Sequence, residues 1–137
     1  MLQIKIMRIF VKNNNMEKWA KKPGIDGYEF SSYGRSRTLA RLQWNGNSWW
    51  MSKEKIMKPS TSRGYLGYVV SQDRKRIFVS AHRVVAELFI PNPLNLPEVN
   101  HKDLNKHNNY YYNLEWMNHY DNMMHAWNNK PWFNIKK

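Results

Sequence analysis

The segment from residue 98 to residue 129 limits the fold of this chain more than any other feature. Glu98–His101 and residues 113–117 are predicted to be short strands, and the asparagine-rich polar segment 102–112 separates them. Asn118 has the character of a helix N-cap, with Asp121 three residues later as an imperfect capping-box partner. A helix is predicted over residues 120–129, and Pro131 closes it. The segment therefore reads as strand, loop, strand and helix.

The residues before this segment predict a β-rich region with one helix. Strands at Tyr28–Ser31 and 35–39 form a basic hairpin with Arg35 and Arg37 on one face. A second hairpin turns at Asn45-Gly46, and a third has strands at 64–71 and 76–80. The apolar spacing predicts a helix over Ala81–Phe89, which Pro91 and Pro93 end. The fold class is predicted to be α+β.

Several large apolar side chains are predicted to pack in the core. Aromatic residues mostly fill cores, so core packing is favoured over a base-stacking platform for Trp44, Trp49 and Trp50. Trp116 is predicted to be a core residue because it alternates with Leu114 and Glu115 in the predicted strand 113–117. The packing face of the last helix is predicted to consist of Met123, Met124 and Trp127.

The charge of the chain favours a phosphate-rich partner. It has 22 Lys and Arg against 10 Asp and Glu, a net charge of +12. A membrane surface or a ribosome also fits this charge. No apolar run approaches the ~20 residues that a membrane span needs. The chain lacks cysteine, so a metal would need His, Asn, Asp or Glu ligands, which favours a hard ion. Residues 1–15 could form a short strand or an extension ahead of the domain.

The histidines and asparagines of the C-terminal segment suit phosphodiester hydrolysis. That reaction needs a base near neutral pH, a metal and cations for the phosphates. His101 ends a strand, while Asn100 and Asn122 offer amide oxygens to a metal such as Mg²⁺. Spacing alone leaves open that His101 is simply a solvated loop residue. His125, three residues after Asn122, is predicted to neighbour the site. The other histidines are predicted to be structural (His82) or to lie on the surface (His107 and His119).

Four motifs together resemble the HNH endonuclease family, and most closely its phage and intron homing endonuclease branch. They are Val99-Asn100-His101-Lys102-Asp103, Asn105-Lys106-His107-Asn108-Asn109, Asn113-Leu114-Glu115-Trp116 and Asp121-Asn122. The helix motif His82-Arg83-Val84-Val85-Ala86 resembles the segment that precedes the nuclease motif in that branch. Residues including Trp19, Gly24, Tyr28, Gly34, Arg35 and Arg37 resemble its nuclease-associated N-terminal module. The resemblance covers about residues 17–128.

The resemblance implies a ββα-metal fold that holds one divalent ion, Mg²⁺ or Mn²⁺. His101 would be the general base, and Asn100 and Asn122 would be metal ligands. Asn113 would bridge the loop and orient the base, and Asp103 would stabilise the loop. The chain departs from the family in two ways. Leu104 stands where the family usually has glycine, so the turn is expected to differ. Both proposed ligands are neutral amides, which should hold a metal only modestly.

The predicted organisation is an extension (1–15), a DNA-binding module (16–60) and an HNH nuclease domain (61–137). The predicted function is metal-dependent hydrolysis of double-stranded DNA, as a nick or a double-strand break, by a monomer in the cytoplasm, or in the host cytoplasm if the protein is phage-encoded. No membrane partner is predicted. Phosphate contacts are expected from Arg35, Arg37 and Arg63. The alternative is a catalytically weak or inactive DNA-binding protein derived from such a nuclease, and an RNA- or ribosome-associated basic protein ranks third.

Overall fold

The computed structural model describes residues 16–130. The predictions for residues 1–15 and for Pro131 lie outside this range. Within it the chain forms eleven β-strands and two α-helices. The first nine strands are β1 (Trp19–Ala20), β2 (Tyr28–Ser31), β3 (Ser36–Thr38), β4 (Leu42–Trp44), β5 (Trp49–Met51), β6 (Lys55–Ile56), β7 (Ser60–Ser62), β8 (Tyr65–Gln72) and β9 (Lys75–Ser80). Helix α1 (Ala81–Phe89), β10 (Glu98–His101), a 3₁₀ turn (Tyr111–Asn113), β11 (Leu114–Met117) and α2 (His119–Asn128) follow. The predicted α+β class is confirmed.

The strands form four small antiparallel sheets. Their orders are β1-β2-β3-β6, β4-β5, β7-β8-β9 and β10-β11. The hairpins of the third sheet turn at pairs of residues with positive φ, Arg63-Gly64 and Asp73-Arg74. Two consecutive positive φ values match the twist of the flanking strands, which explains the tight two-residue turns. The sequence did not predict β6 and β7, since their residues show no apolar alternation.

One hydrophobic core joins the first sheet, the third sheet and α1. Ile25, Tyr28 and Phe30 contribute from the first sheet region, and Tyr68, Val70, Val79, Ala81 and Val84 contribute from β8, β9 and α1. The helix buries one face because its small and branched residues recur at helical spacing. It ends at Ile90, whose extended backbone precedes Pro91. The core therefore takes side chains from both sides of the boundary predicted at residue 60, and the division into domains stays a prediction.

Two predictions of core packing are wrong. Trp44, Trp49 and Trp50 are 53%, 64% and 46% exposed. Their ribbon, β4-β5, pairs only with itself within the described residues, so no second layer covers it. The last helix, α2, contains no buried residue, and Met123 and Trp127 are about half exposed. Met124 and Trp116 are partly buried. In residues 16–130, neither helix has the length and apolar character that crossing a membrane requires.

Candidate active site

The C-terminal ββα unit positions the predicted site residues. Strands β10 and β11 are antiparallel, with Asn100 opposite Glu115 and His101 opposite Leu114. Asn118 caps α2, because its side-chain oxygen accepts a hydrogen bond of 2.8 Å from the Asp121 amide. Since side chains alternate along a strand, Asn100 shares a face of β10 with Glu98, and His101 points the other way. The hairpin therefore presents the proposed ligand and the proposed base on different faces.

His101 is nearly inaccessible to solvent, and a neighbouring amide holds its ring. The side chain is 5% exposed, and its Nε2 lies 2.9 Å from the Oδ1 of Asn109, which is 4% exposed. An amide oxygen can only accept, so Nε2 carries the proton and Nδ1 keeps its lone pair. This tautomer leaves one ring nitrogen of His101 able to accept a proton from water.

Two other rings pack beside His101. The ring centroids of His82 and His101 are 5.1 Å apart. The centroid of the Tyr65 ring lies 4.8 Å from that of His82 and 6.2 Å from that of His101. The Nδ1 of His82 is 2.8 Å from the Ser80 hydroxyl. His82 was predicted to be structural because it begins a helix. The structure places its ring against the proposed general base.

Burial keeps both imidazoles neutral. Desolvation lowers the pKa of His82 to about 4, and the charge that His101 would carry if protonated, together with the charges of Arg83 and Lys106, further opposes protonation of His82. Burial also lowers the pKa of His101, although the hydrogen bond to Asn109 opposes the shift. A histidine with a lowered pKa is unprotonated near neutral pH, which is the form that a general base requires.

Asn113 and Asp103 hold the loop between the two strands. The Nδ2 of Asn113 donates to Asp103 Oδ1 and to the backbone oxygen of Asn108, both at 2.9 Å. Its Oδ1 accepts from the Asp103 amide at 3.2 Å, and Asn108 Nδ2 donates to Asp103 Oδ2 at 2.7 Å. These bonds hold the pKa of the Asp103 carboxyl below its ordinary value. Asn113 thus bridges the loop, but the hydrogen bond to the His101 ring comes from Asn109.

The side-chain amide of each proposed ligand donates a hydrogen bond to a carboxylate. Asn100, which is 5% exposed, donates from Nδ2 to Glu115 Oε1 at 2.9 Å. Asn122 on α2 donates from Nδ2 to Glu98 Oε2 at 2.6 Å. Glu98 also pairs through Oε1 with Nδ1 of His119 at 2.7 Å. These contacts lower the pKa of Glu98. The structure thus brings Asn122 to the strand that carries Asn100 and His101.

The donor set fits a weakly held hard cation. Among residues 16–130, no group of three or more His, Asp or Glu side chains is arranged to hold a metal ion. The amides of Asn100 and Asn122 each direct Nδ2 to a carboxylate, so Oδ1 is the atom left for a cation. Two oxygen donors suit Mg²⁺, which keeps several of its waters. On the neighbouring helix face, Nδ1 of His125 is buried with no hydrogen-bond partner among the described residues.

The three arginines predicted to bind DNA have different surroundings. Arg35 pairs with Glu17, and Arg37 pairs with Glu29 at 2.6 Å and Glu54 at 3.0 Å. Both guanidinium groups lie over the Trp19 ring, which confirms that they share a face. Arg63 is exposed in the turn before β8.

Sequence reasoning missed roles for three residues that contact the site. Asn109 lies in a motif that carried the family resemblance, but nothing in its spacing assigned it to His101. Tyr65 and His82 reach the site through β8 and α1, far from His101 in sequence. The sequence showed only that His82 lies at the start of a helix. The contact between His82 and His101 depends on tertiary packing, which the sequence did not reveal.

The C-terminal unit is an antiparallel hairpin whose first strand ends in histidine, followed by a capped helix that brings an asparagine back to the hairpin. This is the ββα arrangement that the resemblance to HNH endonucleases implies. The chain is 38% identical over 109 residues to a protein of Acanthamoeba polyphaga mimivirus that is named an uncharacterized HNH endonuclease. The alignment covers 80% of this chain and 29% of the viral protein, so the chain spans less than a third of that relative.

A solved structure has the same fold. The structure of the HNH homing endonuclease I-HmuI, described as showing DNA binding and cleavage, matches with a TM-score of 0.62 and 24% identity. The match covers 80% of this chain and 57% of that one. A search of family models finds no match. The resemblance to HNH endonucleases is thus confirmed, and the solved structure shows that the fold is shared.

Proposed function

We propose that the chain is a metal-dependent endonuclease that hydrolyses phosphodiester bonds of double-stranded DNA. The observation that carries this proposal is the state of His101. Its ring is buried at the end of β10, Asn109 binds Nε2, and burial lowers its pKa. A neutral imidazole with one fixed N–H and one lone pair is suited to deprotonate an attacking water.

The other site residues support this role of His101. Asn113 and Asp103 would fix the loop that carries Asn109, and thereby the ring of the base. Asn100 and Asn122 would hold one Mg²⁺ or Mn²⁺. When bound, such an ion supplies charge that stabilises the phosphate oxygens during hydrolysis. His125, with its buried Nδ1, would be a neighbour of that site.

Two cations beside the turn that precedes β8 are candidates for binding the DNA backbone. Lys106 Nζ lies 4.4 Å from the centroid of the Tyr65 ring, and the Lys106 side chain also approaches Gly64. Arg63 immediately precedes that glycine. Within residues 16–130, neither cation is paired with a carboxylate. A phosphate could therefore bind Arg63 and Lys106 without displacing a carboxylate. At Arg35 and Arg37 it would compete with the carboxylates that already pair with them.

The experiment that tests the proposal compares two histidine variants. Duplex plasmid is incubated with the chain and Mg²⁺ or Mn²⁺, and nicked and linear products are separated. His101→Ala should abolish cleavage. His107→Ala is the control, because that imidazole is exposed at the surface of the loop. If the unaltered chain does not cut, or if His101→Ala cuts as well as it does, the endonuclease proposal fails.

A second candidate function is DNA binding without catalysis. It is favoured by the neutral amides at both proposed ligand positions and by the lack of a three-residue metal cluster in the described range. Metal-independent gel shifts without cleavage of several duplexes would support it. Nicking that requires His101 would exclude it. The choice between a nick and a double-strand break, the monomeric state and the cytoplasmic location stay predictions.

A further inference from the structure

We propose that Glu115 and Glu98 are positioning residues for the metal site, and that each carboxylate presents the amide oxygen of one ligand to the cation. The inference rests on the proposed function for the identity of the two ligands, Asn100 and Asn122. It assigns to the two carboxylates the orientation of the amide groups, which an asparagine cannot fix by itself.

A neutral asparagine is an ambiguous metal ligand. Its Oδ1 can bind a cation, but its Nδ2 has the same reach and cannot, and rotation about the terminal bond exchanges them. An ionised carboxylate has only acceptor atoms, so it can bond to Nδ2 and not to Oδ1. A carboxylate beside the amide therefore selects one of the two orientations. An aspartate ligand needs no such partner, because both of its oxygens can bind a cation.

The first pair lies across the β10-β11 ladder. Asn100 and Glu115 are opposite partners in the register, so their side chains share one face of the hairpin. The hydrogen bond from Asn100 Nδ2 to Glu115 Oε1 measures 2.9 Å. Asn100 is 5% exposed, so water cannot readily replace Glu115 as the acceptor. The amide oxygen is thus fixed away from Glu115.

The second pair joins the helix to the same face of the hairpin. Asn122 Nδ2 donates to Glu98 Oε2 at 2.6 Å, and His119 holds the other oxygen of Glu98. Glu98 is two residues before Asn100, which places the two Cα atoms about 6.6 Å apart along the strand. Because Glu98 and Asn100 share a face of β10, both amide–carboxylate pairs lie on one face of the hairpin, which α2 meets through Asn122. The same device acts on both ligands, from different secondary-structure elements.

The two carboxylates also supply the negative charge that the ligands lack. A hard divalent ion is held better by a charged than by a neutral oxygen donor. Groups that contact the ligands commonly change metal affinity by about 10–100-fold when they are removed. Glutamine in place of either glutamate keeps the size of the side chain. It removes the charge and can itself donate to Oδ1, so it no longer selects one orientation of the asparagine.

The test measures Mn²⁺ binding to the full chain by electron paramagnetic resonance of the free ion, without DNA and without an activity assay. Glu115→Gln and Glu98→Gln should each raise the dissociation constant by about 10–100-fold. Glu54→Gln is the matched control, since that exposed carboxylate pairs with Arg37 away from the site, and it should leave the constant unchanged. Thermal melts identify any variant that does not fold.

A rescue variant separates a specific loss of the metal site from a general loss of structure. Asn100→Asp in the Glu115→Gln background should restore the affinity to within about threefold of the unaltered chain, because a carboxylate ligand needs no orientation. Unchanged affinity of the two glutamine variants, or no recovery in the double variant, would overturn the proposal. Asn100→Ala and Asn122→Ala distinguish the levels of failure. If they lose Mn²⁺ while the glutamine variants keep it, only this inference fails. If they bind as tightly as the unaltered chain, or the unaltered chain does not bind, the ligand assignment in the proposed function fails as well.

Discussion

Replacement of Gly34 by alanine should disturb the candidate active site from the first sheet. Gly34 lies in the turn between β2 and β3 with φ +82°, and it packs against the loop that holds His101. A Cβ atom at Gly34 would lie 2.6 Å from the Cβ of Asn109 and 3.1 Å from its backbone oxygen. Non-bonded carbon atoms normally stay about 3.5–4.0 Å apart. Asn109 would therefore have to move by about 1 Å.

The size of that displacement sets the expected effects. The hydrogen bond between Asn109 Oδ1 and His101 Nε2 measures 2.9 Å, and a shift of about 1 Å would take it beyond hydrogen-bonding range. Misplacement of a catalytic group by about 1 Å can lower a rate ~100-fold. Left-handed backbone costs an L-residue about 1–2 kcal/mol, and an overpacked contact costs about 1–3 kcal/mol more. Gly34→Ala should thus lower the free energy of unfolding by about 2–5 kcal/mol.

Gly24→Ala is the matched control for Gly34→Ala. Gly24 has nearly the same backbone, with φ +80°, but a Cβ there would meet nothing within 4 Å. It should show the backbone cost of about 1–2 kcal/mol alone and cleave DNA at the normal rate. The assays are denaturant unfolding and, for the proposed endonuclease activity, single-turnover cleavage of plasmid at a temperature where both variants are folded. If folded Gly34→Ala nicks as fast as Gly24→Ala, the argued link from the turn through Asn109 to His101 is refuted.

Three further predictions concern stability. His82 has a folded-state pKa of about 4 against an ordinary value of 6.5, so the unfolded chain binds more protons between these values and stability should fall as pH drops from 6.5 to 4. In thermal melts across this pH range, the stability of His82→Phe should depend less steeply on pH than that of the unaltered chain. An equal pH dependence of the two proteins would contradict this role of His82. Phe30→Ala, at a fully buried site, should lower the free energy of unfolding in urea by about 3–5 kcal/mol. Trp49→Ser should change it by no more than about 0.5 kcal/mol, because Trp49 is 64% exposed. Similar losses for the two variants would refute the burial argument. Asn118→Ala should cost about 1 kcal/mol in the same assay, since it removes the cap on the Asp121 amide, and no loss would contradict the capping role.

Elements with strong local signals could be predicted from the sequence. Glu98–His101 and Ala81–Phe89 have the predicted bounds because alternation, helical spacing and following prolines act within a few residues. Strand β6 was missed because its extended form depends on a partner, Ile56 lying opposite Arg37 of β3. Strand β7 likewise depends on β8, with Ser60 opposite Gly67. Pairing between distant segments leaves little trace in such short, polar strands.

Burial was harder to predict than secondary structure. The Asn-Gly turn correctly predicted the β4-β5 ribbon, yet its tryptophans are exposed because no element covers the ribbon within the described residues. An apolar side chain indicates that burial is favourable, and the arrangement of layers decides whether a surface exists to bury it. Trp116 shows an intermediate case, since its indole N–H donates to the Ile90 oxygen at 3.0 Å while the ring stays partly exposed.

The candidate site divides in the same way. His101 and its neighbour Asn100 could be chosen from the sequence because strand ends and polar loops are local features. The contact between His101 and Asn109 required the conformation of the loop, and the contact with His82 required α1 to pack beside the hairpin. The carboxylate partner of Asn100 follows from the strand register, which sequence alone did not fix.

Leu104 shows why a mismatch in a motif is weak evidence against a site. The family usually has glycine at this position, and the Leu104 backbone takes the left-handed conformation, φ +62°, that glycine favours. Strained backbone of this kind persists where surrounding interactions fix it. Here the Leu104 amide donates to the His101 oxygen at 3.0 Å, and Asp103 is bonded to Asn108 and Asn113. The leucine side chain is 41% exposed, so its size meets little resistance. These hydrogen bonds therefore hold Leu104 in a left-handed turn after His101, at an energetic cost that glycine would avoid.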